Sequence, residues 1–403
     1  MKRLTLLLLV LAVAAPLLAQ TDPPLEETFL LRHVSGTTAN PGTHVPYVLS
    51  NDGTSPWVFF HALSAHVTYV SESGPADQRN EVFSTNWFAG GVHGRLGDRT
   101  TVVLRGRISL EPYTIKEEGY PQILQFVSPE GGDVLIDHMR PHDLFGEAAA
   151  EIAFRLSGAS FVHVYAAAVG DPALGAAPAE LRASGVDFAD APFSYDIQET
   201  FHNKTRVVTA GYASKVLKLE GSMFHDAIST GDHTEFDDGD FDSQSVRLTL
   251  MPTPSTSVQV SRGELGEDEL TKRDVTSASL GYASGTVAAT ALWTRREQET
   301  RAAVTAMSFE VALRAARSTI LARVESVDRP QDLFLDRDAL DPAVERTSHF
   351  TVGYLLDFLG GYRYKGGVGV NVDYHTNTHK LEDSPLYGHK PQSIYAFVRF
   401  RTR

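Results

Sequence analysis

From His349 to Phe358 the chain reads HFTVGYLLDF. Phe350, Val352, Tyr354, Leu356 and Phe358 fall on one side of an extended strand, and His349, Thr351, Gly353 and Asp357 on the other, with Leu355 the exception. A period of two marks a strand whose faces meet different surroundings. The alternation recurs along most of the chain: Leu217, Leu219, Gly221 and Met223 alternate with Lys218, Glu220 and Ser222, and Val102, Leu104, Gly106 and Ile108 share a face of 99–110. Tight turns at Pro252-Thr-Pro254, Ser284-Gly285 and Ala316-Arg317 alternate with long polar stretches such as Ser71–Asn80 and Asp328–Glu345. Short turns at one end and long loops at the other are the asymmetry of a transmembrane antiparallel β-barrel. The pattern predicts an all-β fold of about sixteen strands, with twelve or fourteen as alternative counts.

The faces opposite the apolar ones carry Lys218, Glu220, Arg247, Gln259, Arg323 and Glu325, which suit a polar lumen. Aromatic residues near strand ends (Trp57, Phe59, Trp87, Trp293, Tyr354, Tyr395 and Phe397) are expected to form interfacial girdles. Three stretches break the rhythm. Residues 20–55, rich in Pro, Thr, Gly and Asn, read as an irregular periplasmic or lumen-lying arm. Glu111–Phe145, rich in Pro, Gly, Asp and His, reads as an insertion that constricts the lumen. Asp171–Asn203 reads as irregular, with a short turn of helix around Ala179–Ala183.

Export fits this reading. Lys2 and Arg3 precede an apolar run, Leu4–Ala15, and a small-residue cleavage site at Ala19, the pattern of a secretory signal. The expected organisation is therefore a signal at 1–19, an arm at 20–55, and a barrel at 56–403 with its insertion at 111–145. Beyond residue 20 there is no run of eighteen apolar residues, and Ala148–Val169 is interrupted by Glu151, Arg155 and His163. A chain that spans a membrane without such a helix must close its strands, because lipid cannot satisfy backbone hydrogen bonds. These features place the protein in the outer membrane of a Gram-negative-type envelope, in contact with its lipids and the barrel assembly machinery.

Charge and composition narrow the partners. The chain has 36 Lys+Arg against 50 Asp+Glu, a formal charge of -14, which argues against nucleic acid. Hydrophobic content is only 42%, as expected when alternate residues alone meet lipid. The absence of cysteine suits an oxidising compartment.

Candidate chemistry concentrates in Asp137–Glu147. His138 and His142 stand four apart, as do Asp143 and Glu147, so on a helix each pair would share a face and could ligate a divalent metal. Pro141 instead favours a helix that begins at His142. An acidic run, Glu235, Asp237, Asp238, Asp240 and Asp242, offers carboxylates to calcium but lacks the order of an EF-hand loop. His375 and His379, followed by Asp383 and His389, form a third cluster. No HExxH, GxSxG, P-loop or Rossmann glycine pattern occurs, so no enzyme is expected and no organic cofactor.

The stretches Ser35–Thr38, Phe83–Phe88, Leu110–Thr114, Asp137–Phe145, Val169–Gly175 and Val207–Gly211 carry a resemblance over much of the chain. By these the chain resembles a family of uncharacterised bacterial outer-membrane barrel proteins, and Pro141–Phe145 is the most specific match. The resemblance implies a β-barrel. Family members often carry a His- and Met-rich segment after the signal and have been associated with copper or heavy-metal handling; here residues 21–56 hold only His33 and His44 and no Met. The expected function is porin-like passage or binding of a small solute or ion. The alternatives are a metal-binding envelope protein and a non-transporting surface or structural barrel.

Overall fold

In a computed structural model, residues 29–44, 46–50, 55, 57–73, 79–127, 135–199, 201–226, 233–235, 237, 239–266, 272–298, 301–330, 344–361, 363–376 and 391–402 are described. The signal at 1–19, and Asp238, His379, Asp383 and His389, lie outside them.

Three short strands open the described chain: β1 (His33–Ser35), β2 (Thr38–Ala39) and β3 (Val48–Ser50). The barrel proper begins with β4 (Trp57–Ser73), β5 (Asn80–Leu96) and β6 (Thr100–Ile108). An excursion follows, made of helix α1 (Glu111–Thr114) and a separate hairpin, β7 (Tyr120–Val127) with β8 (Leu135–Met139). The barrel resumes with β9 (Phe145–Ser157) and β10 (Ser160–Gly170). A second excursion carries a 3-10 turn at Ala179–Leu181 and helix α2 (Tyr195–Gln198).

Eleven further strands complete the wall: β11 (Lys204–Ser214), β12 (Leu217–His225), β13 (Ser243–Thr253), β14 (Thr256–Leu265), β15 (Arg273–Ala283), β16 (Val287–Gln298), β17 (Arg301–Ala315), β18 (Ser318–Pro330), β19 (Val344–Gly360), β20 (Tyr364–Thr376) and β21 (Gln392–Thr402). Among the described residues sixteen long strands, all antiparallel to their neighbours, close into one barrel. The seam is β21 against β4, from Gln392↔Ser73 to Arg401↔Ser64. β3 continues the edge that β21 leaves, pairing Val48↔His61 to Ser50↔Phe59 on the same strand.

The wall is inside out relative to a soluble protein. Along β19 the outward residues Phe350, Val352, Tyr354, Leu356 and Phe358 are exposed, while His349, Thr351 and Asp357 are buried. The same inversion runs around the ring: Leu248, Val260, Leu280, Phe309 and Val324 face out, and Arg247, Gln259, Glu310, Arg323 and Glu325 face in, buried. A continuous outer belt of large apolar side chains suits hydrocarbon and would be costly in water.

The strands fall where the alternation places them. The one outlier in the His349–Phe358 pattern, Leu355, also has a cause: it faces inward and packs with Ala189 and Phe397. The girdle expectation needs correction at three positions. Tyr395 and Phe397 are buried on the inner face, and Trp87 also points inward. Phe59 and Tyr354 do face out. An aromatic on an inward position is acceptable here because the lumen is packed and not simply water-filled.

This arrangement predicts that Leu248→Arg, mid-strand on the outer belt, costs about 2–4 kcal/mol, the penalty for a guanidinium facing the bilayer midplane. Urea unfolding of the protein inserted in lipid vesicles measures it.

Candidate functional site

The lumen is where the polar faces converge, and three described segments occupy it. The first is the N-terminal arm, entering from the short-turn end, where Thr43 binds the carbonyls of Pro254 and Ala283. Its β1–β2 turn is clamped by wall cations. Arg105 donates to the carbonyls of His33 at 2.9 Å and Gly36 at 2.5 Å while paired with Glu147 at 2.8 Å. Lys218, itself paired with Glu220 at 3.0 Å, binds the Thr37 carbonyl, and Arg247 binds the Thr37 and Thr38 hydroxyls. Gly36 has φ +52 and a Cβ there would lie 2.2 Å from the Asp171 carbonyl oxygen, so the turn tolerates only glycine.

The second occupant is the α1–β7–β8 excursion from the long-loop end. Glu111 organises it: its carboxylate accepts the backbone N–H of Asn86 at 3.1 Å and that of His142 at 2.8 Å, and meets His142 Nδ1 at 2.8 Å. The third, residues 171–203, dives from the end of β10 to the short-turn floor and returns to β11. Its acids meet wall cations at successive depths. Asp187 faces Arg314 at 2.9 Å, Arg401 at 2.8 Å and Arg399. Asp190 meets Arg323 at 3.1 Å and Asn371 at 2.7 Å. Arg182 reverses the polarity, bridging Glu310 of the wall at 2.7 Å and Glu199 of its own segment at 2.8 Å. Glu325 of β18 accepts the N–H groups of Phe193 and Ser194 at the start of α2, each at 2.9 Å.

These charges are buried, and an unpaired buried charge costs several kcal/mol. Their protonation reflects the pairing. Burial alone would raise the Asp187 carboxyl, yet the guanidiniums of Arg401, Arg314 and Arg399 hold it well below the usual range. Burial opposes charge on His142 and His202, but Glu111 in one case and Asp171 with Glu199 in the other push each up to about 9. Asp190 goes the other way: burial and the nearby Asp373 push it up to about 7, beyond what Arg323 restores.

Among the described residues, two small cavities lie between the packed segments. A cavity of about 60 Å³ lies between β4–β5 and the two excursions, bordered by His66, Trp87, Glu111, Glu180, Asp190 and Glu199. That is room for a few waters or one partly hydrated ion, since a water needs roughly 10–15 Å³ of such space. A second pocket of about 20 Å³ sits near Asn40 and Gln259.

The four metal candidates do not converge. His142 is taken by Glu111, and His138 Nδ1 lies 3.1 Å from the Ile136 carbonyl and 3.4 Å from Arg79. Asp143 binds His233 at 2.7 Å. Glu147 is held by Arg105 and by the Tyr165 hydroxyl at 2.8 Å. The helix weighed for this stretch is not formed: His138 lies on β8 and Glu147 on β9. Among the described residues no group of three or more His, Asp or Glu side chains could hold a metal ion. In the acidic run, Asp242 is engaged with His225 at 2.6 Å. His375 is buried, stacked on His349 with ring centroids 4.5 Å apart.

Sequence reasoning overlooked residues 171–203 as the main occupant. A signal was available: an outer loop exposed to water does not need Phe188, Phe193, Ile197 and Phe201, all of them buried here.

No known protein family and no curated protein sequence matches the chain. Solved structures do. OmpF of Salmonella typhi, in complex with daunomycin, superposes with a TM-score of 0.55 at 9% identity over 88% of this chain and 100% of that one. An anion-selective porin from Comamonas acidovorans gives 0.52 at 10% identity over 86% and 99%. A loop-deleted OmpT of Vibrio cholerae, an outer membrane protein, gives 0.50 at 10% over 86% and 100%. The likeness is to the porin-type outer-membrane barrel as a fold. It carries nothing of the uncharacterised family or of copper.

Two outcomes are expected of the lumen packing. Asp187→Asn leaves Arg314, Arg399 and Arg401 facing no carboxylate on the segment and should weaken its docking by about 3–5 kcal/mol, the cost of breaking a buried ion pair; hydrogen exchange of residues 172–199 reads it. The second is pH dependence. His142 and His202 have folded values raised above 6.5, so their stabilisation is complete below about 6.5 and is lost as pH rises through about 9. Asp187 and Glu199 have lowered values, so theirs is present above the ordinary 3.8 and 4.5 and is lost only on acidification. Exchange in 172–199, corrected for intrinsic rates, should therefore be faster at pH 10 than at pH 6.

Proposed function

We propose that the protein is an outer-membrane barrel for passage of a small solute or ion, closed in the conformation described. The observation that carries the proposal is the lumen itself. A barrel of about eight strands fills its interior with side chains alone, whereas about sixteen leave an aqueous channel. This chain makes the wider barrel and then occupies it with its own excursions. The excursions are fastened by ion pairs and hydrogen bonds, such as Asp187 with Arg314 and Arg401 and Arg182 with Glu310, beside apolar contacts such as Phe188 against Ala312 and Leu321. Polar fastenings can be exchanged for water, so such a plug can be displaced without unfolding the wall. The cavity beside Asp190 and Glu111 marks where a hydrated path would widen first. Passage by free diffusion past a single constriction at 111–145 gives way, in this reading, to passage gated mainly by 171–203.

The same occlusion favours a second reading, a surface barrel that transports nothing. Planar-bilayer recording separates the two. The mature protein should be almost silent, and a variant with residues 173–199 replaced by a short Gly-Ser linker should show discrete steps. A folded, inserted linker variant that stays silent would overturn passage and leave the surface role.

A further inference from the structure

The cavity of about 60 Å³ is walled by both excursions and by the barrel at once. Glu111 and Tyr120 border it from the first excursion, Glu180 and Tyr195 from the second, and His66 and Trp87 from β4 and β5. It lies where the two segments that fill the lumen meet.

Its charges do not balance. Four carboxylates border the space: Glu111, Glu180, Asp190 and Glu199. Three are neutralised by the protein. Glu111 meets His142 at 2.8 Å, Asp190 meets Arg323 at 3.1 Å, and Glu199 meets Arg182 at 2.8 Å. The half-buried Glu180 carboxylate makes no hydrogen bond and no ion pair among the described residues. Arg107 and His142 sense its charge without pairing with it. Arg107 donates instead to Asn203 at 3.1 Å, His142 is held by Glu111, and Arg140 binds the Tyr195 hydroxyl. A carboxylate set against an internal space without a partner favours a positive occupant.

The remaining walls select the kind of cation. Trp87, Tyr120, Phe188 and Tyr195 border the cavity, and aromatic rings attract cations. Phe188 already carries the Arg323 guanidinium over its ring, 4.0 Å from the centroid. A hard metal ion would need a shell of about six to eight oxygens, which one available carboxylate among aromatic rings does not provide. Ser64 Oγ and His66 Nε2 add acceptors. Both residues border the cavity and are no more than 5% exposed, and neither atom has a hydrogen-bond partner. Unpartnered atoms occur elsewhere on the inner wall; here their residues adjoin a space that can hold a donor. Roughly 10–15 Å³ of such space holds one water, so the cavity admits a group of about four to six non-hydrogen atoms.

We infer that this cavity binds a small organic monocation, a guanidinium or ammonium head, with Glu180 as its counter-ion and Trp87 and Tyr195 as aromatic walls. An anion would meet four carboxylates there, and a neutral solute would leave Glu180 uncompensated. A head so placed touches both excursions and the wall, so its binding favours the closed packing. As cargo of the barrel this class of solute rests on the passage reading; as a bound ligand it does not.

The test is a saturation-transfer NMR titration of the folded mature protein in nonionic detergent. The probes are methylguanidinium, N-methylurea and propionate, which have equal numbers of non-hydrogen atoms and differ in charge. Saturable transfer to methylguanidinium alone, at least about tenfold weaker in Glu180→Gln, is the expected result. No saturable transfer to methylguanidinium would overturn the site, and so would equal transfer to all three probes. Undiminished binding by the Glu180→Gln variant, shown to be folded by near-UV circular dichroism, would overturn it too. Should that variant not fold, Trp87→Leu decides: weakened methylguanidinium binding supports the site and unchanged binding overturns it. Bilayer recording of the linker variant is independent of this titration. Binding beside a silent linker variant keeps the site and removes passage, whereas conductance steps without binding keep passage and remove the site.

Discussion

The interaction on which the rest of the structure depends is the pairing of charges inside the barrel. Lipid outside and a packed interior within leave the wall's inward side chains little water. Each inward Arg, Glu or Asp must find a partner or pay the desolvation cost. The wall supplies some of them from its own strands, as Glu220 does for Lys218 and Arg247. The excursions bring complementary groups to the right depth: Asp187 to Arg314 and Arg401 near the floor, Asp190 to Arg323 above it, and the α2 amides to Glu325 above that. Among the described residues the inward charges of the wall are met by groups that the chain itself supplies.

That solution also sets how the interior can move. The wall is held by backbone ladders around a closed ring and has no edge to fray. The excursions are held by side-chain pairs with their own aromatic and aliphatic contacts, such as Leu174 and Phe201 against Val207, Phe224 and Leu265. Two sets of bonds of different kind make two units of different stability. Conditions that titrate the pairs act on the excursions rather than on the backbone ladders of the ring, which carry no titratable group. The close approach at Gly175, where φ is +66 and a Cβ would lie 2.1 Å from the Phe201 ring, shows how tightly the segment folds on itself once docked.

The wall was legible because its chemistry is local. Strand alternation needs only neighbours two residues apart, and Lys218, Glu220, Arg247 and Arg323 all point inward as their spacing implies. The girdle reading failed at Tyr395 and Phe397 because an aromatic side chain fits both an interface and a packed lumen; the two differ only in what lies across from them. The metal reading of His138, His142, Asp143 and Glu147 drew on helical spacing, and a strand hairpin sends those side chains to different partners.

By itself the sequence determined the class of structure: a chain with about sixteen amphipathic strands and no apolar run long enough for a spanning helix has a closed barrel as its one way to satisfy its backbone in lipid. Only the tertiary structure decided that the barrel is filled. The partners of residues 171–203 lie on strands far along the chain, as with Asp187 and Arg401 or Asp190 and Asn371. So do Ser393 and Glu72, which stand opposite each other only because the ring closes between β21 and β4. Pairings of that kind follow from closure and depth, which no local pattern records.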